Sequence, residues 1–356
     1  MKNENSMKKK ILFFTHSSTG GAERVTVTIA KMLPKDRYEA KFVLVDKRKG
    51  NISDFVPEGY DVDYLLYSNI WCGVTLRLIQ LLRKEKPYAV FATSMPLSAR
   101  LSLAAHLVGG IKIIIRNCNY FCTIRWDQLL LCRMTYRYAD WIIAQQEEMK
   151  DDILCHVRSL RPERVIALHN PLDVDSIDKK SSVPSPYTDS NTLKYVWVAR
   201  FAETKGQDVL AKAFVKVAKC NEKAHLYFVG KYDEHDPFFQ SVKKVILDAG
   251  IEDRVHFVGF DTNPYRWVRY CDCFVLPSRI EGLPNSLIEA QYLGCPAVAA
   301  VCIPIISRIV KEGVTGYVVP PEDSDAMADA MLKAPKLGRV KMEYKSASNE
   351  DFIKLF

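Results

Sequence analysis

Short apolar runs alternate with helical patterns in two series along this 356-residue chain, and a polar Ser/Pro-rich stretch, Lys179 to Ser190, separates them. In the first series Lys10–Thr15, Ala40–Val45, Ala89–Ala92, Lys112–Arg116 and Trp141–Ala144 read as strands. Between and after them Ala22–Leu33, Val74–Lys84, Ser98–Val108, Trp126–Arg137 and Glu147–His156 read as helices. The second series brings strands at Lys194–Ala199, His225–Val229, Val255–Val258, Asp272–Leu276, Ala297–Ala299 and Gly316–Val319. A parallel strand pair needs a connection long enough to hold a helix, so this alternation predicts parallel sheets with helices on both faces. The expected organisation is two doubly wound α/β domains, 1–178 and 193–339, joined by a linker at 179–192 and followed by a tail at 340–356. Ligands of such sheets bind beyond the carboxyl ends of the strands, so the loops after strands carry the information.

Composition narrows the function classes. A hydrophobic content of 48% and a charged content of 26% suit an ordinary globular protein. The longest apolar runs, around Ile111–Ile115 and Ile303–Val310, are too short to span a bilayer. The basic segment Met1–Lys10 precedes only Ile11–Phe14 before a Gly turn, so no signal peptide is expected. Ten scattered cysteines form no pair of Cys-x-x-Cys knuckles, which argues against a zinc site and for a reducing cytoplasm. Residues 1–180 hold 28 Lys+Arg and 20 Asp+Glu, whereas 181–356 hold 22 of each, so the net charge of +8 belongs to the first half. Solvated helix faces account for that charge, as does a basic face toward an anionic membrane or a lipid-diphosphate acceptor. No nucleic-acid motif accompanies it, and no nucleic-acid partner is expected.

The most specific stretch is Ser278-Arg279-Ile280-Glu281-Gly282-Leu283-Pro284-Asn285-Ser286-Leu287-Ile288-Glu289-Ala290, which follows the apolar strand Cys273–Leu276. Pro284 suits the first position of a helix, which leaves the N–H groups of Asn285, Ser286 and Leu287 free at the helix end. Such an end attracts phosphate. Glu289 lies four residues beyond Asn285, about 6 Å further along. That offset sets a carboxylate against a ribose diol while the helix end holds a diphosphate. Glu281, still in the loop, faces the sugar side.

This pattern resembles the Glu-x7-Glu signature of retaining GT-B glycosyltransferases, specifically glycosyltransferase family 4. The resemblance runs from Lys8 to about Ala334 and is most specific in the second half. It implies two Rossmann-like domains facing each other across a cleft, a nucleotide-diphosphate sugar as donor, and no cofactor or metal. The donor-binding residues it implies include Glu281, Gly282, Leu283, Asn285, Ser286, Leu287 and Glu289. Val198-Ala199-Arg200-Phe201-Ala202-Glu203-Thr204-Lys205-Gly206 follows a strand and places two cations at its end, as a dianionic leaving group requires. It is similar to the family's diphosphate clamp, which makes Arg200, Lys205 and Glu281 the catalytic candidates. Gly230, in Phe228-Val229-Gly230-Lys231, matches the family's turn beside the nucleotide, with Tyr232 replacing the usual second glycine. Phe260, after Val258-Gly259, lies in a stretch that resembles the family's loop that holds the base, although ordinary packing explains it equally well.

In the first half, Thr15-His16-Ser17-Ser18-Thr19-Gly20-Gly21-Ala22-Glu23 resembles the family's Gly-Gly-Ala-Glu loop near donor phosphates and acceptor. Gly21 is assigned to the donor site, whereas Gly20 reads equally as a left-handed turn. His169-Asn170-Pro171-Leu172-Asp173 resembles the connector into the second domain, with His169 structural. Many relatives carry a histidine after the strand equivalent to Ile111–Ile115; this chain has Arg116-Asn117-Cys118-Asn119. Arg116, Asn117 and His16 are therefore the acceptor-side or sugar-side candidates, with a packed or loop-exposed role the alternative for His16. Ser348 reads as a helix cap in the tail. The family's closing helix returns to the first domain, and the tail is assigned there although it is short.

The expected activity is retaining transfer from a nucleotide-diphosphate sugar, UDP-linked by preference, to a glycan or lipid-linked acceptor in cell-surface polysaccharide or glycolipid synthesis. The expected location is the cytoplasm, peripheral on the inner face of the membrane. Alternatives are an inverting GT-B enzyme or nucleotide-sugar epimerase, and a non-catalytic nucleotide-sugar-binding protein.

Overall fold

The structure, a computed structural model, describes residues 8–17, 20–46, 56, 58–67, 73–342, 344 and 346–356. The chain divides into two compact units, Met1–Leu172 with Lys345–Phe356, and Asp173–Tyr344. The first division falls six residues ahead of the expected boundary at 178. Its cause is a helix, Val174–Ser181, where the sequence suggested the start of a linker. Asp173 caps it by accepting from the Ser176 N–H at 3.2 Å. Tyr292 Oη donates to Asp178 at 2.9 Å and Asn263 Nδ2 donates to the Lys180 carbonyl at 2.8 Å, so this helix belongs to the second unit.

In the first unit, strands β1 (Lys9–Thr15), β2 (Tyr38–Asp46), β3 (Asp61–Leu66), β4 (Ala89–Ala92), β5 (Lys112–Arg116), β6 (Trp141–Ala144) and β7 (Val165–Ala167) form one parallel sheet in the order 3-2-1-4-5-6-7. Its outermost strands, β3 and β7, are the two missed in the sequence. β3 carries Asp61 and Asp63, and β7 is three residues long, so neither shows the apolar run of a central strand. β1 lies at the centre between β2 and β4, and Ile11, Leu12, Phe13 and Phe14 are fully buried. Successive side chains alternate faces. Leu12 and Phe14 therefore enter the core on one side of the sheet, and Ile11 and Phe13 the core on the other.

The second core includes the end of the chain. Ser348 caps the helix Asn349–Ile353 in a reciprocal box with Asp351. Phe352 within it and Leu355 and Phe356 beyond it are buried. The Phe356 ring meets Phe13 at 5.9 Å and Phe91 at 6.1 Å.

In the second unit, β8 (Leu193–Val198), β9 (Ala224–Val229), β10 (Val255–Gly259), β11 (Cys273–Leu276), β12 (Ala297–Ala300) and β13 (Gly316–Val319) form a parallel sheet in the order 10-9-8-11-12-13. The strand order reverses direction between β1 and β4 in one unit and between β8 and β11 in the other. These are the switch points at which doubly wound sheets bind ligands. No helix among the described residues is long and apolar enough to cross a membrane.

Candidate functional site

At the second unit's switch point, the loops after β8 and β11 are joined along their backbones. The N–H groups of Arg279 and Ile280 both donate to the Thr204 carbonyl, at 2.9 and 3.2 Å. Arg279 also donates to the Glu203 carbonyl at 2.6 Å and pairs with Asp208 and Glu322. Asp208 is held below its ordinary range: burial opposes this, but the Arg279 hydrogen bonds prevail. Two glycines permit the close fit. A Cβ on Gly206 would lie 2.0 Å from the Pro277 carbonyl oxygen, and one on Gly230 would lie 1.5 Å from that of Ala199. Gly206 also holds φ +68°, a left-handed conformation that suits glycine.

This joining brings Lys205 to Glu281. Lys205 Nζ lies 2.7 Å from Glu281 Oε1, and the Ser278 hydroxyl donates to the same oxygen at 2.7 Å. The Glu281 side chain is 9% exposed, so its charge is held by protein donors more than by water. Arg200 is exposed at the end of β8, and its guanidinium has no ion-pair partner among the described residues. The loop therefore presents one paired and one unpaired cation. Cys302, after β12, belongs to the same surroundings; burial, reinforced by the Glu281 charge, pushes its thiol up to about 12.

The helix after this loop differs from the expectation. It covers Asn285–Tyr292 with Pro284 as its cap, one position outside the helix. The Asn285 N–H donates to the Leu283 carbonyl at 2.9 Å and the Leu287 N–H to that of Pro284 at 3.1 Å. Pro284, at ψ 81°, starts a tight turn that satisfies these two groups internally. Of the three N–H groups expected to be free, only that of Ser286 lacks a backbone acceptor among the described residues. Leu283 is buried and Gly282 half-buried beside it. Glu289, one turn on, accepts from Tyr265 Oη at 3.3 Å.

Gly230 ends β9 against Ala199 and Arg200, so it positions the cationic loop. Tyr232, where the family resemblance led to glycine, stacks on Phe239 at 4.6 Å and edges onto Phe201 at 5.9 Å. Phe260 is 49% exposed, so core packing does not explain it. Asn263 is tied to Lys180 at the base of the same loop.

At the first unit's switch point, the loop after β1, the end of β2 and the loop after β4 converge on His16. Its Nδ1 lies 2.7 Å from the Val45 carbonyl and 3.3 Å from Asp46 Oδ1, and its Nε2 lies 3.0 Å from Ser94 Oγ. A ring nitrogen facing a carbonyl carries the proton, so Nε2 of the neutral ring accepts from the Ser94 hydroxyl. The Asp46 carboxylate raises the His16 pKa above its ordinary value, against the burial that lowers it. Gly20 has φ −75°, which removes the left-handed-turn alternative, and Gly21 is the first residue of the helix Gly21–Met32. Ser18 and Thr19 of this loop lie outside the described residues, as do Met1–Met7.

Arg116 and Asn117 are placed inside the first unit, 2% and 1% exposed. Arg116 donates to Asn170 Oδ1 and to Cys118 Sγ. The Asn117 carbonyl accepts from Gln145 at 3.2 Å, and its side chain bonds to Asn119 and Tyr136. These contacts fix the segment after β5. His169 adjoins Asn170 in the same connector. Sequence reasoning overlooked Asp46, Ser94, Asp208 and Tyr265, because each gains its role from a partner far away in the chain, and Ser278, whose partner Glu281 is only three residues on.

Comparison with known proteins accounts for both units. A model described as Glycosyltransferase Family 4 matches residues 19–176, and one described as Glycosyl transferases group 1 matches 178–350. Together they take in nearly the whole chain, which belongs to the family 4 glycosyltransferases and has the GT-B fold. An uncharacterized glycosyltransferase of Methanocaldococcus jannaschii is 29% identical over 64% of this chain and 59% of its own length, so the chain spans under two thirds of that relative. A Campylobacter jejuni N-acetylgalactosamine-N,N'-diacetylbacillosaminyl-diphospho-undecaprenol 4-alpha-N-acetylgalactosaminyltransferase is 24% identical over 82% of this chain and 80% of its own. HepE of Anabaena, solved with UDP and glucose, shares the fold at TM-score 0.77, with 18% identity and 92% of each chain covered.

Proposed function

We propose that this enzyme transfers a sugar, with retention of anomeric configuration, from a UDP-sugar to a glycan or lipid-linked acceptor in cell-surface polysaccharide or glycolipid synthesis. The observation that carries this reading is the exposed, unpaired Arg200 beside the Lys205–Glu281 pair at the second unit's switch point. Breaking the bond between the anomeric carbon and the diphosphate oxygen leaves negative charge on that oxygen. Arg200 and Lys205 stabilise it, with Glu281 and Ser278 holding the Lys205 ammonium and its partner carboxylate in place. The acceptor oxygen forms its bond on the face the leaving group vacates, and its proton passes to the departing phosphate. Neither step calls for a metal ion. Glu289 takes the ribose hydroxyls, Phe260 lies against the base, and the Ser286 N–H donates to a phosphate oxygen. The UDP complexes of HepE and the undecaprenol-linked acceptor in the Campylobacter relative's name support the substrate classes.

One observation favours a second reading. His16, flanked by Asp46 and Ser94, has the arrangement of a general base, which an inverting transferase requires. NMR of the product's anomeric centre, with a panel of UDP-sugars and extracted lipid acceptors in excess chelator, decides between the two. A retained centre formed without metal supports the first reading, and an inverted centre overturns it.

A further inference from the structure

The helix Trp126–Thr135 lies on the first unit with one side in the core and one side without cover. Cys132 and Thr135 are buried, and Leu129 and Leu131 pack against the core. On the other side Trp126 is 78% exposed, Leu130 50% and Met134 59%. Residues four apart lie one above another on a helix, so these three make a single apolar row. An exposed tryptophan in line with a leucine and a methionine is unusual for a surface facing only water.

The row is bordered by cations. Arg125 stands at the helix start with its side chain 77% exposed, and Arg133 and Arg137 are exposed near its end. Asp127, paired with Arg125, is the helix's one acidic residue. The Arg133 Nε–H donates to the His156 carbonyl and the Arg137 guanidinium lies 5.0 Å from the Tyr138 ring, so both cations are anchored beside the row. His106 stacks on Tyr138 at 3.9 Å, bringing the end of a neighbouring helix with exposed Leu107 alongside.

We propose that this face docks the enzyme on an anionic bilayer surface, with Trp126, Leu130 and Met134 entering the headgroup boundary and Arg125, Arg133 and Arg137 meeting lipid phosphates. A bilayer answers both features together: anionic groups at the surface and apolar chains just beneath. A second copy docking through the same face would set the three arginines against their own counterparts. The proposal rests on the reading that the acceptor is lipid-linked, and it assigns that reading's membrane contact to particular side chains.

The test is co-sedimentation of the full chain with vesicles of phosphatidylcholine alone and with about one-third phosphatidylglycerol, at low and high salt. The wild type should bind the anionic vesicles, less so at high salt. Leu130→Asp and Trp126→Ser should each lower partitioning about tenfold or more, with unchanged melting temperature. Arg133→Gln with Arg137→Gln should remove most of the preference for anionic over neutral vesicles. Transfer to a detergent-dispersed lipid acceptor, measured separately, tests the catalytic reading, and Leu130→Asp should retain it. Wild-type-level vesicle binding by Leu130→Asp and Trp126→Ser overturns the proposal. So does a concentration-dependent dimer of the wild type that Leu130→Asp abolishes, since the face would then belong to a second copy.

Discussion

Lys205 and Glu281 stand 76 residues apart in the chain and meet at 2.7 Å, through loops that follow adjacent parallel strands. The pair couples the two candidate catalytic charges. A carboxylate in reach of a lysine fixes where the ammonium sits, and it also shares the charge that a leaving diphosphate would draw on. Arg200 has no such partner, so the two cations are inequivalent.

Their inequivalence separates two substitutions. Arg200→Ala should lower turnover by about 100-fold or more, the scale of losing one charge-stabilising donor, while leaving the melting temperature unchanged. Lys205→Ala should lower turnover similarly and also destabilise the fold by about 1–2 kcal/mol, because Glu281 loses a charged partner. Paired kinetics and thermal melts check both, and equal melting temperatures for the two variants would refute the inequivalence.

The glutamates should divide along a kinetic line. Glu289→Gln removes a ribose contact present before and during reaction, so it should raise the donor KM and weaken binding of free UDP in calorimetry. Glu281→Gln should mainly lower kcat and leave UDP affinity almost unchanged. The reverse pattern would exchange the roles assigned to the two residues.

His16 gives a pH signature independent of turnover. Its folded-state pKa is raised above 6.5, chiefly by the hydrogen bond to Asp46. Protonation therefore favours the folded state. The added stability is fully present below about pH 6.5 and is lost as pH rises through the raised value. Asp46→Asn should consequently cost more stability at pH 5.5 than at pH 8.5, by comparison of denaturant midpoints at the two pH values. A constant difference across that range would mean that the contact does not hold in solution.

Gly230→Ala tests the fit beneath the cationic loop. A Cβ 1.5 Å from the Ala199 carbonyl oxygen requires the backbone to move, so the change should cost about 3 kcal/mol and weaken UDP binding together. Gly250, whose Cβ would meet nothing within 4 Å, is the control. Alanine there should leave UDP binding intact and cost only the strain of its left-handed φ.

The central strands of both sheets were legible because burial on two faces leaves uninterrupted apolar runs such as Ile11–Phe14 and Phe274–Leu276. Edge strand β3 and the helix at 174–181 escaped notice for the opposite reason, their sequences being largely polar, and β7 because its apolar run is only Val165-Ile166-Ala167; neighbouring elements hold all three in place. The loops bearing Arg200, Lys205 and Glu281 could be found from strand-to-loop transitions alone. Their partners could not. Nothing local to Asp208 or Glu322 announces Arg279, and the link between His16, Asp46 and Ser94 exists only once β1, β2 and β4 lie side by side.

The first unit is discontinuous in the chain. Its core includes Phe352, Leu355 and Phe356, made after the whole of Asp173–Tyr344. Domains usually fold in the order in which the ribosome delivers them. Here that order is reversed at the finish: the second unit is one continuous stretch, whereas Phe13 and Phe91 must wait for Phe356 before their sheet face is closed. During synthesis the earlier unit therefore keeps an open aromatic surface while the later one folds. A fragment ending at Leu172 would keep that surface permanently, and its aggregation would report the missing terminal residues instead of any defect in its own sequence.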